Sequence, residues 1–159
     1  VVATDYWAAD SVLLDSGRLF TAIEASMAVP GLFTPVHRDG LLLIDGGTSK
    51  PLPFDLLHDK VDLVIAVDVS GSHEPDSGQS IGLTDMLFNS FKIMQQTMIR
   101  QALRQRPPDI YIKPETRGVR LLHFHRIHEI LKQAESAAGR LRERLESLPV
   151  AHPTHRSTP

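Results

Sequence analysis

The chain has 159 residues, 42% hydrophobic and 23% charged, so it is long enough to bury a core and too apolar to be disordered throughout. Its formal net charge of −2 argues against a nucleic-acid surface. The absence of cysteine excludes disulfides and cysteine-based zinc or redox sites and favours a reducing compartment or a bacterial source.

The chain opens on VVATD, a β-branched start without methionine, which reads as a strand taken from mid-protein; a fragment or processed piece is expected. No charged and apolar leader is seen, and no apolar run is long enough to span a bilayer. VVAT (1–4) and SVLLD (11–15) read as strands. Asp15 and Ser16 then suit the cap of a helix from about Arg18, with Leu19, Ile23 and Met27 as its buried face, and Pro30-Gly31 stops it. LLLI (41–44) is a compact apolar strand that ends in the turn Asp45-Gly46-Gly47. LVIAVDV (63–69) is apolar at nearly every position, as in a parallel strand covered on both faces.

Residues 71–82, GSHEPDSGQSIG, read as a polar loop. Thr84 suits the cap of a long helix to about Arg106, with Leu87, Phe91, Met94 and Met98 as its apolar stripe and Pro107-Pro108 as its stop. DIYIK (109–113) is a further strand. The last helix is expected from about Arg126 to Leu148, with Ile127, Ile130, Leu131, Ala134, Ala138, Leu141 and Leu145 on one side and a solvated charged face at Arg140, Arg142, Glu143 and Arg144. Residues 149–159 carry three prolines and little to bury, so a disordered tail is expected. Strands alternating with helices over residues 1–148 indicate one α/β layered domain, with no internal repeat.

Two short motifs invite a chemical reading. GQSIG (78–82) spells the pattern of a serine nucleophile elbow. An elbow needs a buried strand running straight into its first glycine. Here the preceding residues are HEPDS, and a second breaker, Gly82, follows, so Ser80 reads as a loop serine. The second motif is Asp45-Gly46-Gly47. An apolar strand delivers a carboxylate to its C-terminal end, where α/β sheets place catalytic groups, and two glycines remove the bulk beside it. On its own, the same triplet also fits an ordinary strand-end turn.

The surrounding series separates these readings. ATD (3–5), GRLFTAIEASMAVPGLFTPV (17–36), LLLIDGG (41–47), PLPFDLL (51–57) and DLVIAVDVS (62–70) occur in this order. The series resembles the C-terminal half of the patatin-like phospholipase family, in its bacterial branch related to neuropathy target esterase. The shared pattern is a helix ending A-S-x-x-x-P-G-x-F-x-P-V, here Ala25 to Val36, then a strand ending D-G-G or D-G-A, then an x-P-x-P element, here Pro51-Leu52-Pro53. Pro108-Asp109-Ile110 and LLHFHRIHEIL also look like the family's C-terminal end.

The resemblance implies a three-layer α/β fold, a mostly parallel sheet flanked by helices, incomplete at its N-terminus. It implies a serine acyl hydrolase with a Ser-Asp dyad, in which Asp45 is the catalytic aspartate and general base and Gly46 and Gly47 support the motif. It calls for neither metal nor other cofactor. The implied partners are a lipid or ester substrate and a transient membrane-surface contact, at a cytoplasmic or membrane-peripheral location. In the family, the serine elbow and the glycine-rich oxyanion loop come before the segment matched here. These 159 residues contain neither, and Ser80 follows Asp45 rather than preceding it, so the chain alone is expected to be inactive. The alternative is a non-catalytic remnant that binds a protein or lipid partner. His123, His125 and His128 lack a carboxylate at metal-ligand spacing and read as structural. Asp5 and Asp68, at strand ends, read as turn caps, and Ser26 as packing before Pro30.

Overall fold

The chain's first seventy residues build a four-stranded sheet from two hairpins. In this computed structural model, which describes residues 1–71, 82–118 and 124–148, β1 (Val2–Asp5) and β2 (Asp10–Leu13) pair with Val2 opposite Leu13 and Asp5 opposite Asp10. The Asp5 carboxylate accepts the Trp7 and Ala8 N–H groups and so caps the turn between them. β3 (Val36–Arg38) and β4 (Leu41–Asp45) are joined by Asp39-Gly40 alone, at φ 51° and 80°. Positive φ at both central residues makes the two-residue turn whose twist matches the flanking strands, which is what Asp-Gly favours. β4 also pairs with β1, Ala3 opposite Asp45, giving the order β2-β1-β4-β3.

Every pairing in this sheet is antiparallel, which corrects the expected mostly parallel arrangement. The reason is local. Short turns at 6–9 and 39–40 reverse the chain twice, and the two strands that each turn joins can only run antiparallel.

α1 (Leu19–Ser26) crosses from β2 to β3 and packs on β1 and β4. Its buried residues are Ala22 and Ala25, while the expected face, Leu19, Ile23 and Met27, is exposed. Ala25 joins Ala3 and Leu43 in a cluster of fully buried side chains. The small alanines let the helix backbone lie close to the sheet, which leaves its large apolar side chains on the outer side. The expected cap at Asp15 and Ser16 is also absent: Arg18 precedes the helix without a side-chain cap bond, and the Ser16 carbonyl accepts from Arg38 instead.

β5 (Ile65–Val67) pairs with β6 (Ile110–Ile112). Val64, Ala66 and Asp68 are buried while Val67 and Val69 are exposed, so this strand is covered on one face and not on two. Phe54, Val64 and Ala66 form a second buried cluster, flanked by Leu52, Ala102, Leu103 and Tyr111. α2 (Leu83–Gln105) starts at Gly82, with Thr84 inside its first turn and not at its cap. Leu87 and Met94 of the expected stripe are exposed. Phe91 and Met98 of that stripe are half-buried, and the better-covered side extends from them through Phe88, Gln95, Gln96, Ile99, Ala102 and Leu103. That line passes through two glutamines, which hydrophobic periodicity counts as surface.

Contacts divide the chain into two compact units. The one just described holds residues 1–70 and, from 82, runs to Tyr111. The second holds Ile112 onward and contains α3 (Ile127–Glu146). Within it, Arg126 pairs with Glu129 and the Arg117 N–H donates to Gln133. The covered line of α3 is Ile130, Ala134, Ala137 and Leu141, rotated from the expected face, so that Ile127, Leu131, Ala138 and Leu145 are exposed. No helix among the described residues is long and apolar enough to cross a membrane. The tail at 149–159 and Ser80 of GQSIG lie outside the described residues.

Candidate active site

The strand β4 ends on Asp45, and every backbone polar atom of that residue is engaged. Its N–H donates to the Ala28 carbonyl at 3.0 Å. Its carbonyl accepts from Thr4 Oγ1 at 2.8 Å. Thr4 itself is buried in β1, and its hydroxyl also meets Ser49 Oγ at 2.7 Å. Ala28 belongs to the A-S-x-x-x-P-G stretch, so three separate motif segments converge on one residue. The ladder with β1 adds a fourth restraint.

Beyond Asp45 the chain turns at once into a 3-10 turn at Gly46–Thr48. Asp45 Oδ1 accepts the Gly47 N–H at 3.1 Å, a side-chain cap on that turn. The Gly46 carbonyl accepts from the N–H groups of Ser49 and Lys50, at 3.3 and 2.8 Å. The two glycines serve different purposes. A Cβ on Gly46 would come within 2.9 Å of the Val2 carbonyl carbon and closer still to its oxygen. Only a residue without a side chain lets the turn pass this near the β1 backbone. A Cβ on Gly47 would run into the Gln95 side-chain amide and lie 3.0 Å from Asp45 Oδ2.

The two carboxylate oxygens are therefore unequal. Oδ1 is used by Gly47, and Oδ2 has no hydrogen-bond partner among the described residues. Partial burial raises the carboxyl above the usual aspartate range, and the Gly47 N–H offsets part of that rise. A carboxylate made more basic, fixed in place and with one free oxygen is suited to accept a proton from a hydroxyl brought against it.

Among the other candidates, Asp68 is buried and its carboxylate accepts the Ser70 N–H at 2.9 Å, the Ser70 hydroxyl and the Tyr111 hydroxyl at 2.8 Å. Gln96 donates to the Ser70 hydroxyl. Burial first, and then the bond to Asp68, push the Tyr111 phenol well above its ordinary range. This network closes the end of β5, as a turn cap does. His125 and His128 are both exposed, His123 lies outside the described residues, and no three acidic or histidine side chains among the described residues gather as a metal site. Reasoning from the sequence missed Thr4 and Gln95. Thr4 sits inside the ATD motif, where a lone hydroxyl near the end of an apolar strand was the available signal. Gln95 had none, since a glutamine in a long helix looks like surface.

The residues that surround Asp45 are also those a family comparison recognises: residues 3–58 match the family model of patatin-like phospholipase. An uncharacterized NTE family protein of Mycobacterium tuberculosis is 47% identical over 72 residues, which is 45% of this chain and 20% of that protein, and one of Mycobacterium bovis matches equally. A second uncharacterized NTE family protein of Mycobacterium tuberculosis is 28% identical over 159 aligned positions, covering 86% of this chain and 27% of that protein. The chain thus spans 20 to 27% of the length of the curated relatives it matches. Within the chain, the patatin-like segment contains Thr4, Ala28 and Asp45 to Ser49, while Gln95 lies beyond it.

Proposed function

We propose that this chain supplies the aspartate half of a Ser-Asp dyad in a lipid acyl hydrolase. The observation that carries the reading is the free Oδ2 of Asp45 on a carboxylate whose backbone and other oxygen are fully engaged. Asp45 Oδ2 takes the proton of a serine hydroxyl as its Oγ attacks an ester carbonyl. The tetrahedral adduct expels the alcohol and leaves an acyl-serine, which water hydrolyses. The same carboxylate returns the proton. The patatin-like match and the NTE-family relatives support a lipid or other carboxylic ester as substrate.

The serine belongs, on this reading, to a strand–elbow–helix unit outside these 159 residues, together with the oxyanion donors. Residues 1–148 are then the C-terminal portion of one patatin-like domain, and the chain alone does not turn over ester. The test is p-nitrophenyl butyrate hydrolysis by the 159-residue chain, its Ser80→Ala variant, the chain extended by its upstream coding sequence, and that extended form carrying Asp45→Asn. Activity confined to the extended form and lost on Asp45→Asn is expected. Activity of the 159-residue chain that disappears with Ser80→Ala would overturn the proposal. Inactivity of all four would favour a binding role.

A further inference from the structure

The outer side of the Asp45 turn is closed by α2. Gln95, half-buried on the covered side of that helix, donates through Nε2 to the Gly47 carbonyl at 3.0 Å. Its neighbour Gln96 donates to Ser70 at the end of β5. Two consecutive helix residues thus reach the ends of two different strands, which fixes the helix against both. A half-buried amide aimed at a turn carbonyl, 48 residues away in the chain, is specific to this register of the helix.

What that bond restrains follows from the turn's geometry. The peptide between Gly46 and Gly47 is held on one side by the Ser49 and Lys50 N–H groups on the Gly46 carbonyl, and on the other by the Gly47 N–H on Asp45 Oδ1. The next peptide, which carries the Gly47 carbonyl, hangs on a residue without a side chain and with wide conformational freedom. Gln95 holds it. We infer that Gln95 is a positioning residue for Asp45: by holding the Gly47 carbonyl it keeps the Gly47 N–H on Oδ1 and leaves Oδ2 as the oxygen offered to a partner. The Gln95 amide also occupies the space a Gly47 side chain would fill, beside Oδ2, so it walls that oxygen on one side. The positional claim stands on these bonds alone. Its catalytic consequence rests on Asp45 being the dyad base.

The test reads Asp45 directly. Carbon-13 NMR of the aspartate carboxyls in the 159-residue chain, assigned with Asp45→Asn, gives the Asp45 titration for wild type, Gln95→Met, Gln95→Ala and Thr97→Ala. Methionine keeps the length and packing of glutamine without the donor. Thr97, exposed on the same helix, controls for a general helix effect. Loss of the Gly47 bond removes the interaction that lowers the carboxyl, so the Asp45 midpoint rises by roughly half a pH unit in both Gln95 variants and stays put in Thr97→Ala. Faster exchange of the Gly47 amide accompanies it. An unchanged midpoint and unchanged exchange in a folded Gln95→Met protein overturn the inference, and so does an equal change in Thr97→Ala. In the extended, active form, Gln95→Met lowers kcat about tenfold with little change in KM, because a loosened base is a misplaced one. Unchanged kcat there counts against the positioning role. Full activity of Asp45→Asn in the same form would instead remove the dyad reading and leave the NMR result standing.

Discussion

The two glycines after Asp45 give the sharpest stability contrast in the molecule. Alanine at either position adds one methyl, but the methyls meet different atoms. At Gly46 the obstacle is the Val2 carbonyl, part of a β1 backbone that is hydrogen-bonded to β2 on one side and β4 on the other. No rotamer change relieves the clash; either the turn or an inner strand must shift. Overpacking of this kind costs about 1–3 kcal/mol, and a backbone obstacle belongs at the upper end, so we expect about 2–3 kcal/mol. For a chain of this size that lowers the melting temperature by roughly 5–10 °C. At Gly47 the obstacle is the tip of the Gln95 side chain, which can swing away, and the expected cost is under about 1 kcal/mol, partly offset by the smaller freedom of alanine in the unfolded chain. The D-G-A alternative in the family pattern fits this ordering. Urea unfolding followed by far-ultraviolet circular dichroism measures both. Equal losses, or a larger loss for Gly47→Ala, would refute the reasoning, since it depends wholly on backbone against side-chain tip. The folded Gly47→Ala protein should also show displaced Gln95 side-chain amide signals.

Three further outcomes are expected. Asp45→Asn keeps an oxygen for the Gly47 N–H and removes a partly buried charge. Because the folded carboxyl sits above its unfolded value of about 3.9, Asp45 favours the fold when protonated, and that contribution is lost as pH rises through the folded value. Asp45→Asn should thus be more stable than wild type at pH 7 by about half a kcal/mol, modest because the side chain is only partly covered, with the gap closing near pH 4 in melting scans. Thr4→Val removes a buried hydroxyl from the Asp45 carbonyl and Ser49, and should cost about 1–3 kcal/mol in urea unfolding. Tyr111, with its ionisation pushed upward, should stay protonated where a free phenol is half ionised, and stability should fall as pH rises above about 10, where the unfolded phenol ionises. A 295 nm titration that is identical in wild type and Tyr111→Phe per remaining tyrosine would contradict this.

Element type was legible in the sequence, whereas the covered faces often were not. The five strands and helices expected up to residue 69 all form close to their expected bounds, because Pro30-Gly31, the short turns and the β-branched runs act locally, and β3 is the one strand there that was not expected. The facing of α1 failed because the residues nearest the sheet are alanines, which a search for large apolar side chains passes over. The facing of α2 held only for Phe91 and Met98, because its covered side also includes Gln95 and Gln96, which are satisfied by bonds to chain positions far away. Sheet direction failed for a simpler reason. Asp39-Gly40 is a strong two-residue hairpin signal, whereas the parallel expectation rested on the apolar run at 63–69 and on the family resemblance. At the site, Asp45 and its glycines were visible because they are contiguous. Thr4 and Gln95 reach the Asp45 turn only through contacts 41 and 48 residues away, which no local pattern encodes.

These failures bear on what the Asp45 site is. A strand-end turn that only reverses the chain needs a cap and a glycine. This one also has a buried threonine on its carbonyl, the α1 exit on its N–H, a helix side chain on its second peptide and a glycine fitted against a neighbouring backbone. Each restraint acts on the position of the carboxylate, and none uses Oδ2. Burial of an acid without a partner for that oxygen works against stability, since a neutral asparagine would meet the same turn bond without the desolvated charge. A fold that holds a group rigidly while leaving it under-satisfied has the stability cost expected of a working carboxylate, and a plain turn gives no reason for it.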